Sequence, residues 1–520
     1  MRSDESGRDT QGGEWDVVVV GGGGSGLAAA IEARSLGRRV VLLERDSRLG
    51  GSTGRSIGSF TANNTPQQIR DGIKDSPDEH YEDMKRFCEQ SPRIHRQARN
   101  VPDNDELRRF FVDNVTDTFN WISEMGVVFY GPLPEPPHRR PRMHNVLPNS
   151  RAYIYHLERR ARKIGVEIKT SMRAVELMVE QDRVTGIKCE TPAGQRHAFR
   201  ARGGVVLTTG DFSADRDMRA RHLPSLTDVQ PVNPHNSGDG HRMVLELGGR
   251  LIDTGLYSAG IRFQAPPPSW ITRLPPQRFF TRIMDWSMRS LPDWLLRPVV
   301  MSFLTTILVP SAKLFKAGAV LVNKHGVRFV NEIDNPADSG RPALADQPDQ
   351  MGYIIFDARV SRQFAQWPYY VSTAPGVAYA YVPDYRRTRP DVFHEAKTIG
   401  ELAGKIGVER SVLEETVNDF NASLPIGDDQ RKPMTEGPFV AMGPVRFFLN
   451  FSDSGIAVDT QMRVLGADDM PVQGLFAAGF TGMGGVLLEG HGHHIAWAFT
   501  SGRFAGRHAA NTVTTPADPV

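Results

Sequence analysis

Cysteine is nearly missing from this 520-residue chain: only Cys88 and Cys189 occur, far apart and outside any CxxC pattern. That excludes a disulfide framework, a zinc or iron–sulfur cluster and a CxxCH haem attachment, and it fits a reducing compartment such as the cytoplasm. An excess of one charge is missing too. Lys and Arg number 62 against 60 Asp and Glu, a formal charge of +2, so the basic footprint of a nucleic-acid binder is absent. No run reaches the roughly 18 apolar residues of a membrane span. The nearest, Pro298–Pro310, is short and bounded by prolines. The opening MRSDESGRDTQGGEW is polar and has no signal-peptide core. Internal repeats are absent, and the length calls for two or three lobes.

What is present is a nucleotide motif. In WDVVVVGGGGSGLAAAIEARSLGRRVVLLERDSRLGG, the apolar run Val17–Val20 reads as a buried parallel strand. Gly21, Gly23 and Gly26 follow as G-x-G-x-x-G, with Gly24 and Ser25 between them. Leu27 to Leu36 reads as a helix stopped by Gly37, and Val40–Leu43 as a second strand ending at Glu44. The glycines let a pyrophosphate approach the backbone, and the helix start offers unpaired N–H groups. Glu44, 18 residues after Gly26, can accept from both ribose hydroxyls of an adenosine. With strand, helix, strand and acid in register, the motif is specific. A second loop, RDSRLGGSTGRSIGSF, follows at once. Arg45, Gly51, Ser52, Thr53, Ser56 and Gly58 within it suit a cofactor extending past the pyrophosphate to a flavin, which points to FAD rather than NAD. No histidine or cysteine lies in GGSTGRSIGSF, so attachment is expected to be non-covalent.

Further along come SRAYIYHLERRARKIGVEIKTSMRAVELMVEQDRVTGIKCETPAG, ARGGVVLTTGDF, NSGDGHRMVLELGGRL, GAVLVNKHGVRFVNE and GIAVDTQMRVLGADDMPVQGLFAAGF. In this order they resemble the flavoprotein superfamily of soluble fumarate reductases and 3-ketosteroid dehydrogenases, with a closer likeness to the latter. The resemblance implies an α/β fold: a Rossmann-like FAD-binding domain, discontinuous over 14–250 and 438–512, with an inserted α+β cap over 251–437. Residues 1–13 and 513–520 are expected to be disordered tails. It implies further cofactor contacts at Ala174, Val175, Thr209, Gly210, Asp239, Gly479 and Thr481. Thr481 would take the place of the acid or amide that usually follows "AAG".

The chain departs from the fumarate-reductase pattern at several points. No arginine follows Asn331 and Glu332 until Arg341, the family's histidine falls on Phe451, and its arginine clamp falls on His491. Lacking these positive forks, the site is not expected to take fumarate or succinate. The late stretch GMGGVLLEGHGHHIAWAF is expected to lie beneath the flavin, with backbone N–H groups near His494 and Ile495 toward flavin O2. Glu489 and His491 would point at substrate, His491 exchanging a proton and Glu489 orienting it. No metal site is expected, because residues at i and i+2 seldom converge on one ion. Tyr257 and Tyr353 are the second candidates, by likeness to the tyrosines of ketosteroid dehydrogenases.

The implied activity is FAD-dependent dehydrogenation of a CH–CH bond beside a carbonyl, on a small hydrophobic cyclic ketone, with electrons leaving to an external acceptor. The alternatives are an enone or enoate reductase fed by an external donor, an oxidase or hydroxylase, and a non-catalytic flavoprotein subunit. The stretch 294–314 is either a helix pair of the cap or a surface resting peripherally on a membrane.

Overall fold

A computed structural model describes residues 10–98, 103–264, 276–291, 301, 310–333, 341–374, 378–424 and 431–513. The chain is α/β. Its first sheet has eight strands, in the order Arg463–Leu465, Pro471–Ala477, Arg183–Glu190, Arg196–Leu207, Thr10–Val20, Val40–Leu43, Glu167–Lys169, with Arg173–Glu180 paired to Arg183–Glu190. The middle is parallel: Val18 registers with Val41 on one side and Val205 on the other. Val17–Val20 are at most 3% exposed, which is why the run is apolar throughout instead of alternating.

The first helix, Gly24–Ser35, lies against the C-terminal helix, His493–Asn511. A Cβ at Gly502 would come within 2.3 Å of Ser25 O, and one at Gly506 within 2.1 Å of Ala29 O. Two glycines one turn apart thus let the helices touch backbone to backbone. That contact seats the start of the first helix against the middle of the C-terminal one, whose own start at His493 reaches beyond it.

The second sheet has six strands. Phe439–Ser452 is its hub, pairing with Gln230–Pro231, Tyr257–Phe263, Met351–Phe356 and Phe393–Ala396, and Val320–Asn323 pairs with Met351–Phe356. Two boundaries differ from expectation. Residues 10–13, expected to fray, extend the first strand, and Thr10 and Gln11 pair with the segment starting at Arg196. Phe439–Ser452 and Gln230–Pro231, expected within the nucleotide-binding part, belong to the second sheet. Most of 294–314 lies outside the described residues. Among the described residues, no helix is long and apolar enough to cross a membrane.

Candidate active site

A cavity of about 770 Å³ runs between the two helix starts and the second sheet. At one end it is built from backbone. Gly21, Gly22, Gly23 and Gly24 line it together with Ser25, Glu44, Arg45, Gly51, Ser52, Thr53, Ser56, Gly58, Ala174, Thr209, Gly210 and Asp239. Gly21 sits at φ +107°, where a Cβ would meet Thr208 O at 2.3 Å, whereas a Cβ on Gly23 would meet nothing within 4 Å. Gly23 therefore leaves open the space into which a phosphate would move. The first intrahelical bond runs from Leu27 N to Gly23 O at 3.0 Å, so the N–H groups of Ser25 and Gly26 come before the helix ladder. Glu44 accepts from Gly22 N at 2.6 Å and Asp46 N at 2.8 Å. Burial nevertheless raises its pKa, against the lowering by those N–H donors.

The other end is built from side chains. His491 lines the cavity, and its Nδ1 and backbone N both donate to Glu135 Oε1, at 2.5 and 3.0 Å. Thr61 Oγ1 donates to His491 O at 2.6 Å, and Gly492 at φ +91° lets the loop pass Thr61, where a Cβ would lie 2.7 Å from its N. The ring is therefore held through one nitrogen, and Nε2 has no partner among the described residues. Burial alone would lower the pKa of His491, but the bond and charge of Glu135 outweigh it and leave the pKa raised.

Glu489 does not orient His491, as the sequence suggests it should. It accepts from Arg93 Nε at 2.6 Å. Arg93 Nη1 also donates to Asp453 Oδ2 at 2.5 Å, and Asp453 Oδ1 accepts from His494 Nε2 at 2.7 Å. Burial would raise the pKa of Asp453, yet Arg93 and His494 bring it below the ordinary range. Phe451, Phe480 and His494 form an aromatic wall, with centroids 4.6 to 5.4 Å apart. The helix behind it makes its first bond from Ala496 N to Gly492 O, which leaves the N–H groups of His494 and Ile495 at the cavity.

Several expected residues fall elsewhere. Gly26 does not line the cavity. A Cβ there would strike Gly21 O at 1.8 Å, so its task is packing. Val175, at a register shift between Ala174 and Glu176, is absent from the lining. Gly479 is a buttress, since a Cβ would meet Ser25 Oγ at 2.7 Å. Thr481 is fully buried and donates to Gly210 O at 2.9 Å, while Phe480 faces the cavity. Tyr257 starts a strand and is absent from the lining. Tyr353 is 8% exposed and packs with Val322 and Ile355, on the sheet face opposite Ile354 and Phe356. The cavity also has arginines that the motif comparison did not provide: Arg93 and Arg262 both line it. Glu135, in a proline-rich turn, gave no sequence signal. Arg262 did, as a lone cation between Ile261 and Phe263.

Behind His491, the ring nitrogens of His80, His138 and His493 lie within 4.8 Å of one another, all buried. Their other nitrogens decide what they can do. Asn63 Nδ2 donates to His80 Nδ1, and also to Val112 O, which fixes the amide. Arg142 Nη1 donates to His138 Nδ1. Both rings must therefore carry their proton on Nε2, where a metal would need a lone pair. His80 Nε2 donates instead to His493 Nε2 at 3.0 Å, and His493 Nδ1 donates to Glu489 O. His80 and His493 are thus hydrogen-bonded to each other in the neutral state, while His138 Nε2–H has no partner among the described residues; with its proton on that nitrogen it offers an ion no lone pair, and the trio does not fit one.

A family described as an FAD binding domain matches residues 16–488. The chain belongs to this FAD-binding family. FAD is thus the cofactor, and the glycine cradle, Glu44 and the two helix starts fit it. NADH:fumarate oxidoreductase of Klebsiella pneumoniae (strain 342) is 24% identical over 98% of this chain, which spans about half (49%) of that protein's length. The open conformation of a flavocytochrome c3 fumarate reductase superposes with TM-score 0.73 at 23% identity, covering 96% of this chain and 79% of that one. A 3-ketosteroid-Δ4-(5α)-dehydrogenase from Rhodococcus jostii RHA1 superposes with TM-score 0.57 at 23% identity, covering 96% and 97%. At these identities, the two structural likenesses describe the shared fold of this FAD-binding family.

Proposed function

We propose that this chain is an FAD-dependent oxidoreductase that exchanges two hydrogens across a carbon–carbon bond next to a carbonyl. The observation carrying this reading is the His491–Glu135 pair, which shares one cavity with the dinucleotide cradle. The names of relatives, fumarate oxidoreductase among them, support a C–C bond as the reacting group.

FAD, when bound, supplies hydride exchange. The chain's own part is proton exchange, orientation and exclusion of water. Glu135 fixes Nδ1–H of His491, so Nε2 is the nitrogen that gives a proton to the substrate carbon in reduction, or takes one in dehydrogenation. The raised pKa keeps the ring protonated further toward neutral pH, which favours donation. Arg93, neutralised by Glu489 and Asp453, offers little free charge to a second carboxylate, so short dicarboxylates remain disfavoured. Phe87, Phe451, Phe480 and Leu488 line the same space and suit the apolar body of a cyclic ketone or enone. Electrons pass to or from an external partner.

The test is anaerobic. The FAD-loaded protein is mixed with cyclic ketones and steroids while flavin bleaching is followed, and the dithionite-reduced protein is mixed with the matching enones. Bleaching in the first arm, or reoxidation in the second, is expected and gives the direction. A spectrum unmoved in both arms would leave the carrier-subunit reading in its place. Peroxide formed with oxygen would indicate an oxidase.

A further inference from the structure

We propose that Arg262 anchors a carboxylate on the far end of the substrate, making this an enzyme for elongated, mostly apolar ketones or enones with a terminal acid. The inference rests on the oxidoreductase reading above for the location of the reacting bond. The anchor itself does not.

Arg262 lies in the strand Tyr257–Phe263 and lines the cavity. Its Nε is shut off from solvent and meets no hydrogen-bond partner. No ion pair or hydrogen bond engages its guanidinium among the described residues. Removing a cation from water without a counter-charge is costly, and here burial alone lowers the arginine's pKa to about 10, with no charged neighbour contributing. The carboxylates that share the cavity are already engaged. Glu44 takes the N–H groups of Gly22 and Asp46. Glu135 takes His491, Asp239 takes Arg173 and Arg242, and Glu489 takes Arg93. Among the described residues no anion meets this guanidinium, and the proposal supplies one from the ligand.

The position fixes what kind of molecule brings it. Ser258, on the same strand and also lining the cavity, registers with Phe451, whose ring is 4.6 Å from His494. Arg262 is four residues further on, about 13 Å at roughly 3.3 Å per residue. Both residues line the cavity, across a register shift that follows Ser258. The glycine cradle that suits the pyrophosphate lies at the other end of the cavity, so FAD's own phosphates do not meet the need. A short enoate held near His491 leaves Arg262 empty, whereas a molecule with an apolar middle and a distal carboxylate fills both ends. A guanidinium holds such a carboxylate through two parallel bonds.

The experiment uses ω-(3-oxocyclohexenyl)alkanoates of increasing chain length, each with its methyl ester, and crotonate as the short acid. Binding to the oxidised, FAD-loaded protein is read from the flavin absorbance shift. The longer acids are expected to bind about 10–100-fold more tightly than their esters, as a charge-assisted bond implies. Arg262→Gln removes that preference, leaves ester binding and FAD content as they were, and Arg262→Lys restores part of it. Equal affinity for acid and ester in the unaltered protein overturns the proposal without any variant. So does a loss in Arg262→Gln shared equally by acid and ester, or a best fit to crotonate. If the acids bind through Arg262 but are neither reduced nor dehydrogenated, the anchor stands and the proposed reaction falls. Turnover of acid and ester alike, indifferent to Arg262, gives the reverse.

Discussion

The two ends of the cavity are made of different material. The nucleotide end is backbone: four consecutive glycines, one helix start and one carboxylate tied to N–H groups. Its specificity lies in what a Cβ would strike. The substrate end is side chain, drawn from segments far apart: Arg93 from a short helix, Glu135 from a turn, Arg262 from a strand, and Glu489 to His494 from a loop. Its specificity lies in which charges are paired and which are not. A site made of backbone needs particular residues at fixed spacing within one stretch. A site made of side chains needs only that distant segments meet.

The largest effect should separate packing from binding at the first end. Gly23→Asp adds a side chain where nothing stands within 4 Å and brings a negative charge to the expected pyrophosphate position. The protein is expected to fold and purify colourless, with circular dichroism unchanged. Gly26→Val places its Cβ 1.8 Å from Gly21 O, so it should fail to fold as well as fail to bind. If Gly23→Asp purified with a full complement of FAD, the cradle would be misassigned. At the second end, His491→Ala should leave FAD content intact and lower turnover by about 100-fold, the lower range for a lost general acid or base. Unchanged turnover would remove His491 from the chemistry.

This contrast also explains what could be read in the sequence. The strand, helix, strand and Glu44 are local, and the turn at Gly21 demands glycine whatever lies elsewhere, so the backbone of that end was legible in the sequence. Even there, side-chain direction was not: Gly26, Gly479 and Thr481 serve packing, because a glycine or a threonine in a motif does not say which way it faces. At the other end the late loop, expected beneath the flavin, lines the cavity with His491, His494 and Ile495, but the partner expected for His491 was wrong. Glu489, two residues away in sequence, bonds Arg93, and Glu135, 356 residues away, bonds His491. Proximity along the chain stood in for proximity in space. Tyr353 failed for a related reason: strand alternation turns it into the core opposite Ile354.

Glu135→Gln sharpens the comparison, since it keeps an acceptor for Nδ1–H and removes only the charge. Burial then acts on His491 against the hydrogen bond alone, without the Glu135 charge, and its pKa should fall. Turnover at neutral pH in the reducing direction should drop about tenfold, because less of the ring carries a proton to give. The descending limb of the pH profile should move to lower pH. Dehydrogenation, which needs the neutral ring, should show its rising limb move the same way. A profile that stays in place would mean Glu135 holds the loop and nothing more.

The smallest effect concerns two histidines separated by a single glycine. His493 is buried beside His80, His138 and Arg142, and its pKa is pushed down to about 4, chiefly by burial; that of His138 is pushed down to about 2. In the unfolded chain both return to about 6.5. As pH falls below that value, the unfolded state takes up protons the folded state refuses. Each such ring then costs stability by about 1.4 kcal/mol per pH unit until its folded pKa is reached. His491 has the opposite sign: with a raised folded pKa, its contribution is full below 6.5 and is lost as pH climbs through the raised value. Calorimetric Tm should therefore decline on both sides of about pH 6.5. His138→Leu should flatten only the acid side, by the equivalent of one proton, because Arg142 keeps Asp75 and Asp83. Glu135→Gln should flatten the alkaline side and, because the Glu135 charge also supports the protonated form of His493, deepen the acid decline slightly. If His138→Leu changed the alkaline limb, the buried trio would be setting the titration of His491, and the division of the cavity into a working face and a neutral support behind it would fail.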